Sequence, residues 1–487
     1  MSDDFAWRDH VVTLDERGHG TLKQAVSIAL EDLQRPQGPR SNASPSELHA
    51  LVTSLEVCPE EGVGLPRLLG ELGDVVWRNS VVPSDVACVA HLHPPTLVAS
   101  VVTELSISAV NQSMDSWDQA PAATEVELHL MSWLAGLIGM PATGSGIMTS
   151  GGTASNVLGL TLARSWAARS LGVDVLKSGL PPESATWRIL CSDQAHFSVQ
   201  RGAAQLGLGR DAVIGVATTA TGAMDVEALD RTLEEFAANG LRAIAIVATA
   251  GTTDLGVIDP LEAIGDRALR HAMWFHVDAA VAGAYLLSDQ LRPRLAGLET
   301  ADSVTIDFHK LWWQPFNASA LVVRDEGRFD LLRVKSNYLD RGDELEGMIN
   351  LVGRSLDTSR RFDAAKVFAS LRAIGRRELA RMLEHLLALA QYAGERLAAH
   401  HRFDLVTSPT SVMCVFTAPG FGSDDLRAVQ QNLLARGDMV LGRTEIKGRA
   451  ALKFTFMNPL TTTSDVDDLI TLVEREFAAI EAVSSPN

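Results

Sequence analysis

The sequence predicts an α/β protein: a large domain on a mainly parallel sheet, with an N-terminal helical segment before it and a small α+β domain after it. Two observations carry this reading. From about residue 124, helix-period segments alternate with short apolar runs rich in valine, isoleucine and alanine, the pattern of strands joined by helical crossovers. Beyond Asp363 the alternation gives way to long helical stretches with a few strands among them. The expected division is 1–95 for the helical segment, 96–362 for the large domain and 363–487 for the small one.

The elements follow in order. Residues 22–33 and 46–58 have helical composition, and the Pro-, Ser- and Gly-rich loop RPQGPRSNASPS (35–46) separates them. TEVELHLMSWLAGLIG reads as a helix and GIMTSGGTASN as a Gly-rich turn. Residues 157–170 form a helix with Leu158, Leu162 and Trp166 on one face. RILCS is a strand, HFSVQRGAAQLG a short helix and AVIGVAT a strand. Asp225 is placed to cap VEALDRTLEEFAANG, and Asp259 with Pro260 to open DPLEAIGDRALRH. AIAIVATAG, WFHVDAA, SVTIDFH and ASALVVRD are further strands, in a sheet covered on both faces. A helical region broken near Gly375, the strands in VMCVFTAP and LKFTFMNP, and helices in SDDLRAVQQNLLARGD and from Ser464 complete the chain.

A chain of 487 residues with 46% hydrophobic and 21% charged residues can bury a large core. Its 42 Lys+Arg against 60 Asp+Glu give a net charge of −18, which argues against nucleic acid or an anionic membrane as partner. Cys58, Cys88, Cys191 and Cys414 are far apart and lack metal-ligand spacing, so no metal is expected and free thiols in a reducing cytoplasm are the simplest reading. The start MSDDFAWRDH has no apolar core of a signal peptide, and no run is long enough to span a bilayer. The N-x-S matches at Asn42 and Asn317 are read as chance.

Four stretches at strand ends or turns can carry chemistry. In TSGGTASN (149–156) two glycines let a ligand approach the backbone, and the helix that follows aims its N-terminal amides at an anion. Alone it is equally a plain tight turn, and it is neither a Walker loop nor a dinucleotide fingerprint. SDQAHFS (192–198) sets His196 just after a strand, and HVDAA (276–280) ends a strand with Asp278, a carboxylate that needs a partner if buried. SVTIDFHKLWWQ (303–314) delivers Lys310 from an apolar strand into apolar company, costly for an ammonium unless it is paired, neutral or covalently attached. Together an anion cradle, a histidine, a strand-end carboxylate and a strand-end lysine are the parts needed to hold pyridoxal phosphate.

The order GGT…H…HVDAA…DFHK resembles the group II pyridoxal-phosphate-dependent amino-acid decarboxylases, from about residue 85 to the C-terminus. The resemblance implies the fold-type I (aspartate aminotransferase-like) architecture and pyridoxal phosphate as cofactor. It makes Lys310 the lysine joined to that cofactor, Asp278 the partner of its ring nitrogen and His196 the residue stacked on one ring face. Ala280 then packs the other face, Gly152 and Thr153 cradle the phosphate, Thr249 lies near the cofactor hydroxyl, and Ser303 and His309 are nearby contacts. It implies a homodimer with shared active sites, clasped by the N-terminal segment. HLHPPT (91–96), with His93, and NQSMDSWDQAPAATE (111–125) resemble the siderophore-type lysine, ornithine and 2,4-diaminobutyrate decarboxylases. On that likeness Asp115 is expected to meet a distal substrate ammonium across the dimer interface, against a capping or solvated aspartate. His93 joins the substrate-binding residues.

The expected reaction is loss of the α-carboxylate of an L-amino acid, a basic diamino acid foremost, to give the amine and CO₂. One departure stands out: the family's mobile loop often carries a tyrosine that returns a proton to Cα, and RGDELEGMINLVGRSLDTSRRF (341–362) has none, with Leu351 or Val352 near that place. His196, His309 or Lys310 can supply the proton instead. An aromatic or apolar substrate, oxidative deamination to an aldehyde, another fold-type I activity such as aminotransfer and a catalytically silent cofactor-binding scaffold remain open alternatives. Trp312 and Trp313 are expected to pack behind the cofactor rather than to line a pocket.

Overall fold

The computed structural model describes residues 10–31, 33, 36–334 and 347–484. Residues 1–9, part of the Pro/Ser-rich stretch and residues 341–346 of the tyrosine-free loop lie outside the described residues. The chain divides into two compact units. The larger comprises Leu92–Gln391 and Thr407–Met413; the other comprises Met1–His91, Tyr392–Val406 and Cys414–Asn487. The contact-based division therefore groups residues from both ends of the chain, and places 363–391 with the larger unit.

Among the described residues the strands are β1 (Cys88–Val89), β2 (Ser145–Thr149), β3 (Trp187–Ser192), β4 (Val213–Val216), β5 (Arg242–Thr249), β6 (Trp274–Asp278), β7 (Ser303–Asp307), β8 (Ser319–Val323), β9 (Asp404–Leu405), β10 (Met413–Thr417), β11 (Val440–Ile446) and β12 (Arg449–Thr455). A seven-stranded sheet has the order β2-β8-β7-β6-β5-β3-β4. All neighbours are parallel except at β8, which runs antiparallel to both β2 and β7. Strands β6 to β8 are buried along their whole length, as a sheet covered on both faces requires. The smaller sheet has the order β1-β11-β12-β10-β9.

Two local expectations change. GIMT, read as part of a turn, is β2: alternate side chains of this short run face opposite covered sides of the sheet, so it shows no polar–apolar alternation. The helix after Asp259 spans Leu261–Arg270 with Pro260 at its cap position. Asp259 is instead drawn inward, where its two carboxylate oxygens accept the backbone N–H groups of Met224 and Thr249 at 2.7 and 2.8 Å. Burial pushes its pKa up to about 6. Asp225 does cap Val226–Ala238, accepting from the N–H groups of Glu227 and Ala228. Gly375, at φ 81, separates helices Ala364–Ile374 and Arg376–Ala398.

Inside the larger unit a buried ion pair ties distant segments together. Arg360 Nη1 donates to both oxygens of Glu127, at 2.9 and 3.2 Å, and to Met148 O; its Nη2 donates to Met114 O. Glu127 is fully buried and also accepts the N–H of Met148 in β2. Removing one member strands the other's charge, which costs about 3–5 kcal/mol, whereas replacing both by apolar groups costs far less. Arg360→Met should therefore lower stability by roughly that amount, and Glu127→Leu/Arg360→Met should recover part of it. Urea unfolding of the four-member cycle measures both.

Candidate active site

Because β2 and β7 both run antiparallel to β8, strands β2, β3, β5, β6 and β7 point the same way and their carboxyl ends share one edge of the sheet. A cavity of about 640 Å³ opens at that edge, the expected place for a ligand in such a sheet. Thr149, Thr249, Asp278 and Asp307, the last residues of β2, β5, β6 and β7, line it.

One end of the cavity is built for an anion. Gly151 has φ 145, and the 18-residue helix Gly152–Arg169 begins at the next residue with no side-chain cap. Its first amides therefore have no partner within the helix and carry the positive end of the dipole. A Cβ on Gly152 would lie 2.8 Å from Asp307 Oδ2, so only glycine fits. Thr153 lines the same wall.

At the floor Asp278 is 7% exposed. Its Oδ2 accepts from Asn156 Nδ2 at 2.7 Å and its Oδ1 from the Ala280 N–H at 3.1 Å. Thr249 stands beside it in register on β5, and among the described residues its buried hydroxyl has no hydrogen-bond partner. An orphaned hydroxyl facing a cavity is paired by whatever fills the cavity.

Lys310 Nζ lies 2.9 Å from Asp307 Oδ2. His309 Nε2 is 3.6 Å from the same oxygen, and His309 Nδ1 is 2.9 Å from Ala318 O. A carbonyl only accepts, so Nδ1 carries the hydrogen, and the 3.3 Å approach of Ala318 N to that atom is not a hydrogen bond. Burial lowers the pKa of both His309 and His196, against the raising effect of Asp307 and Asp278 respectively; both rings are neutral near pH 7.

Eight of the residues singled out in the sequence line this cavity: Gly152, Thr153, His196, Thr249, Asp278, Ala280, His309 and Lys310. Three do not. Ser303 is the first residue of β7, at the opposite end of the strand from the cavity edge; it is fully buried and bonded to Trp274 Nε1 and His276 Nδ1, both at 2.8 Å. It supports the floor from behind. Asp115 is 8% exposed; its Oδ1 accepts the Ser116 N–H and its carbonyl the Val352 N–H. His93 is exposed and packs edge-on against Phe316, which does line the cavity. Trp312 and Trp313 are buried away from the lining.

The sequence reading missed Asn156, Ser198, Asp307, Phe316 and Asp357. Asp307 and Asn156 sit inside stretches already singled out, but nothing in a linear sequence says which neighbouring polar side chain turns toward the site. Asp357 comes from the tyrosine-free loop, whose Ser355, Leu356 and Asp357 line the cavity while Leu351 is in the core at 1% exposed.

A family model described as the pyridoxal-dependent decarboxylase conserved domain matches residues 59–418. An L-2,4-diaminobutyrate decarboxylase of Acinetobacter baumannii is 35% identical, covering 97% of this chain and 94% of that protein. One from Rhizobium meliloti is 38% identical, covering 94% and 92%. The crystal structure of the glutamate decarboxylase domain of diaminobutyrate-pyruvate transaminase and L-2,4-diaminobutyrate decarboxylase from Vibrio parahaemolyticus is 36% identical, with a TM-score of 0.89 over 97% of this chain and 99% of that one. The uncapped helix, the Gly152 cradle, the orphaned Thr249 hydroxyl and the strand-end Lys310 all suit pyridoxal phosphate. An unpaired buried hydroxyl costs about 1–3 kcal/mol. Thr249→Val should therefore leave the ligand-free protein equally or more stable by thermal unfolding, yet weaken pyridoxal phosphate binding about tenfold in a fluorescence titration.

Proposed function

The chain belongs to the pyridoxal-dependent decarboxylase family, and on that premise we propose that it removes the α-carboxylate of an L-diamino acid, 2,4-diaminobutyrate or its longer homologues ornithine and lysine. The observation that carries the choice of substrate is the carboxylate of Asp357. It lines the cavity, and among the described residues it forms no salt bridge, whereas Asp278 and Asp307 are already engaged. An ammonium at the far end of a diamino acid supplies the missing cation. The names of the two relatives above support the same reading.

Pyridoxal phosphate, when bound, supplies an electron sink for the pair left on Cα as CO₂ departs. The chain supplies the rest. Lys310 would hold the cofactor through Nζ. Asp278, an acceptor-only carboxylate, would favour the protonated form of a ring nitrogen. Gly152 and Thr153 would hold the phosphate with backbone amides, and His196 and Ala280 would bound the ring. Phe316 and Leu356 bring apolar surface to the cavity wall.

A homodimer fits this assignment. Helix Val98–Val110 exposes Val98, Val101, Val102 and Leu105, spaced to form one apolar stripe that a second copy covers. Among the described residues no helix is long and apolar enough to cross a membrane, and the four free cysteines, two of them buried, suit a reducing cytoplasm. Light scattering should give twice the chain mass; a monomer with full activity overturns the dimer.

Incubation of the purified, cofactor-loaded protein with 2,4-diaminobutyrate, ornithine, lysine and norvaline, read by mass spectrometry, should yield amine from the diamino acids. Aldehyde as the main product would replace decarboxylation by oxidative deamination. Asp357 is exposed in the ligand-free chain, and losing one charged contact that a bound substrate shields from water is worth about 1–3 kcal/mol, or roughly 10- to 100-fold. Asp357→Asn should lower kcat/KM for the best diamino acid by that factor and leave norvaline turnover within about threefold. If Asp115→Asn shows this selective loss instead, the ammonium is met by Asp115, reaching from a partner subunit.

A further inference from the structure

Behind the cavity floor the side chain of Asn156 fills all four of its hydrogen-bonding positions. Its Oδ1 lies 2.7 Å from Thr305 Oγ1 and 2.9 Å from His276 Nε2; its Nδ2 lies 2.7 Å from Asp278 Oδ2 and 2.9 Å from Ser198 Oγ. The Asp278 carboxylate only accepts, so the Asn156 amide nitrogen faces it and Asn156 Oδ1 faces His276 Nε2. An amide oxygen also only accepts, so His276 Nε2 carries a hydrogen. Burial drives the His276 pKa down to about 4, so the ring is neutral and this is its one hydrogen. His276 Nδ1 then accepts from Ser303 Oγ, which itself accepts from the Trp274 indole.

The second branch runs through Ser198. Its oxygen accepts from Asn156, and its backbone N–H points at His196 Nδ1 at 3.3 Å, which makes that nitrogen an acceptor; the Ser198 hydroxyl, 2.8 Å from the same atom, then gives its hydrogen to it. With Nδ1 accepting, a neutral His196 carries its hydrogen on Nε2. One buried amide therefore reaches both residues that bound the cofactor ring. Interior glycine Gly159 makes room for the relay, since a Cβ there would lie 2.7 Å from the His276 ring.

We propose that Asn156 is a positioning residue that holds the Asp278 carboxylate in place and, through Ser198, fixes His196 as the Nε2–H tautomer. The proposal rests on the reading that Asp278 and His196 serve the bound cofactor, and its test separates the two. Asn156→Asp keeps the shape and removes both donated hydrogens; it should raise the pyridoxal phosphate dissociation constant at least tenfold. Ser198→Ala cuts only the second branch; it should leave that constant within threefold and lower kcat at least tenfold at unchanged KM. The double variant should lose no more kcat than Asn156→Asp alone.

A readout that needs no cofactor is ¹⁵N NMR of histidine-labelled, ligand-free protein, with His196 assigned through His196→Gln. The wild type should show one tautomer, with hydrogen on Nε2, and Ser198→Ala a mixture. A wild-type ring with hydrogen on Nδ1 overturns the proposal whatever the cofactor does, and so does a Ser198→Ala spectrum identical to wild type. An Asn156→Asp protein that binds pyridoxal phosphate within threefold of wild type overturns the Asp278 branch. If Asn156→Asp does not fold, the Ser198→Ala and NMR arms still decide. Wild type that shows the expected tautomer but neither binds pyridoxal phosphate nor releases CO₂ refutes the functional reading and leaves the hydrogen-bond assignment standing.

Discussion

A carboxylate buried at the end of a central strand is the constraint around which the larger unit is organised. Asp278 has almost no contact with solvent, and an anion there survives only if donors replace the lost water. Two are in place, the Ala280 N–H and the Asn156 amide. Each demands something of the fold. The backbone beyond β6 must turn at once so that Ala280 N points back. Helix Gly152–Arg169 must cross the sheet at the height that sets Asn156 over β6 and β7, and Gly159 must be a glycine in a helix interior, where that residue costs about 1 kcal/mol. These two donors leave room for a cationic N–H in front, where the cavity lies.

Lys310 poses the complementary problem. In sequence its company is apolar, but Trp312 packs edge-on against Phe308 and Trp133, so the flanking aromatics do not surround the ammonium. Its partner is Asp307, three residues earlier, a residue hemmed between Gly152, Ser319 and His309. In the ligand-free chain the lysine is thus paired. Were Lys310 to hold a cofactor, this ion pair would be given up, and the adjacent helix N-terminus would keep positive potential beside Asp307.

How much of this was legible in the sequence depended on whether a feature is local. Six of the seven strands of the large sheet stood out because each is a continuous apolar run, and the carboxyl ends of such strands are where ligands bind, so Asp278 and Lys310 could be picked out from the sequence, while Thr249 came from the resemblance alone. β2 was hidden because its five residues SGIMT run directly into the glycine turn. Ser303 was placed at the cofactor on resemblance, whereas its position as the first residue of β7 puts it a strand's length from the cavity edge. Asn156 was invisible for a different reason: its four partners come from three other segments of the chain, and sequence alone cannot say that an asparagine in a helix's second turn faces a carboxylate 122 residues later. Asp259 shows the same limit, since an N-cap position and a buried staple look alike until the long-range contacts form.

The same geometry narrows the source of the proton that Cα needs in a chain whose loop offers no tyrosine. Leu351, near the expected place of that tyrosine, is in the hydrophobic core, and among the described residues the loop side chains that reach the cavity are Ser355, Leu356 and Asp357. A serine hydroxyl is a weak acid, and a carboxylate engaged with a substrate ammonium has no proton to give. His309 is neutral with its hydrogen committed to Ala318 O, so the nitrogen on the Asp307 side can accept but not donate. His196 is the reverse: Ser198 occupies Nδ1, and the free hydrogen is on Nε2. Lys310, whose Nζ also reaches the cavity, would be the other group with a hydrogen to deliver. Of the three candidates the sequence offered, the hydrogen-bond directions leave two, His196 and Lys310.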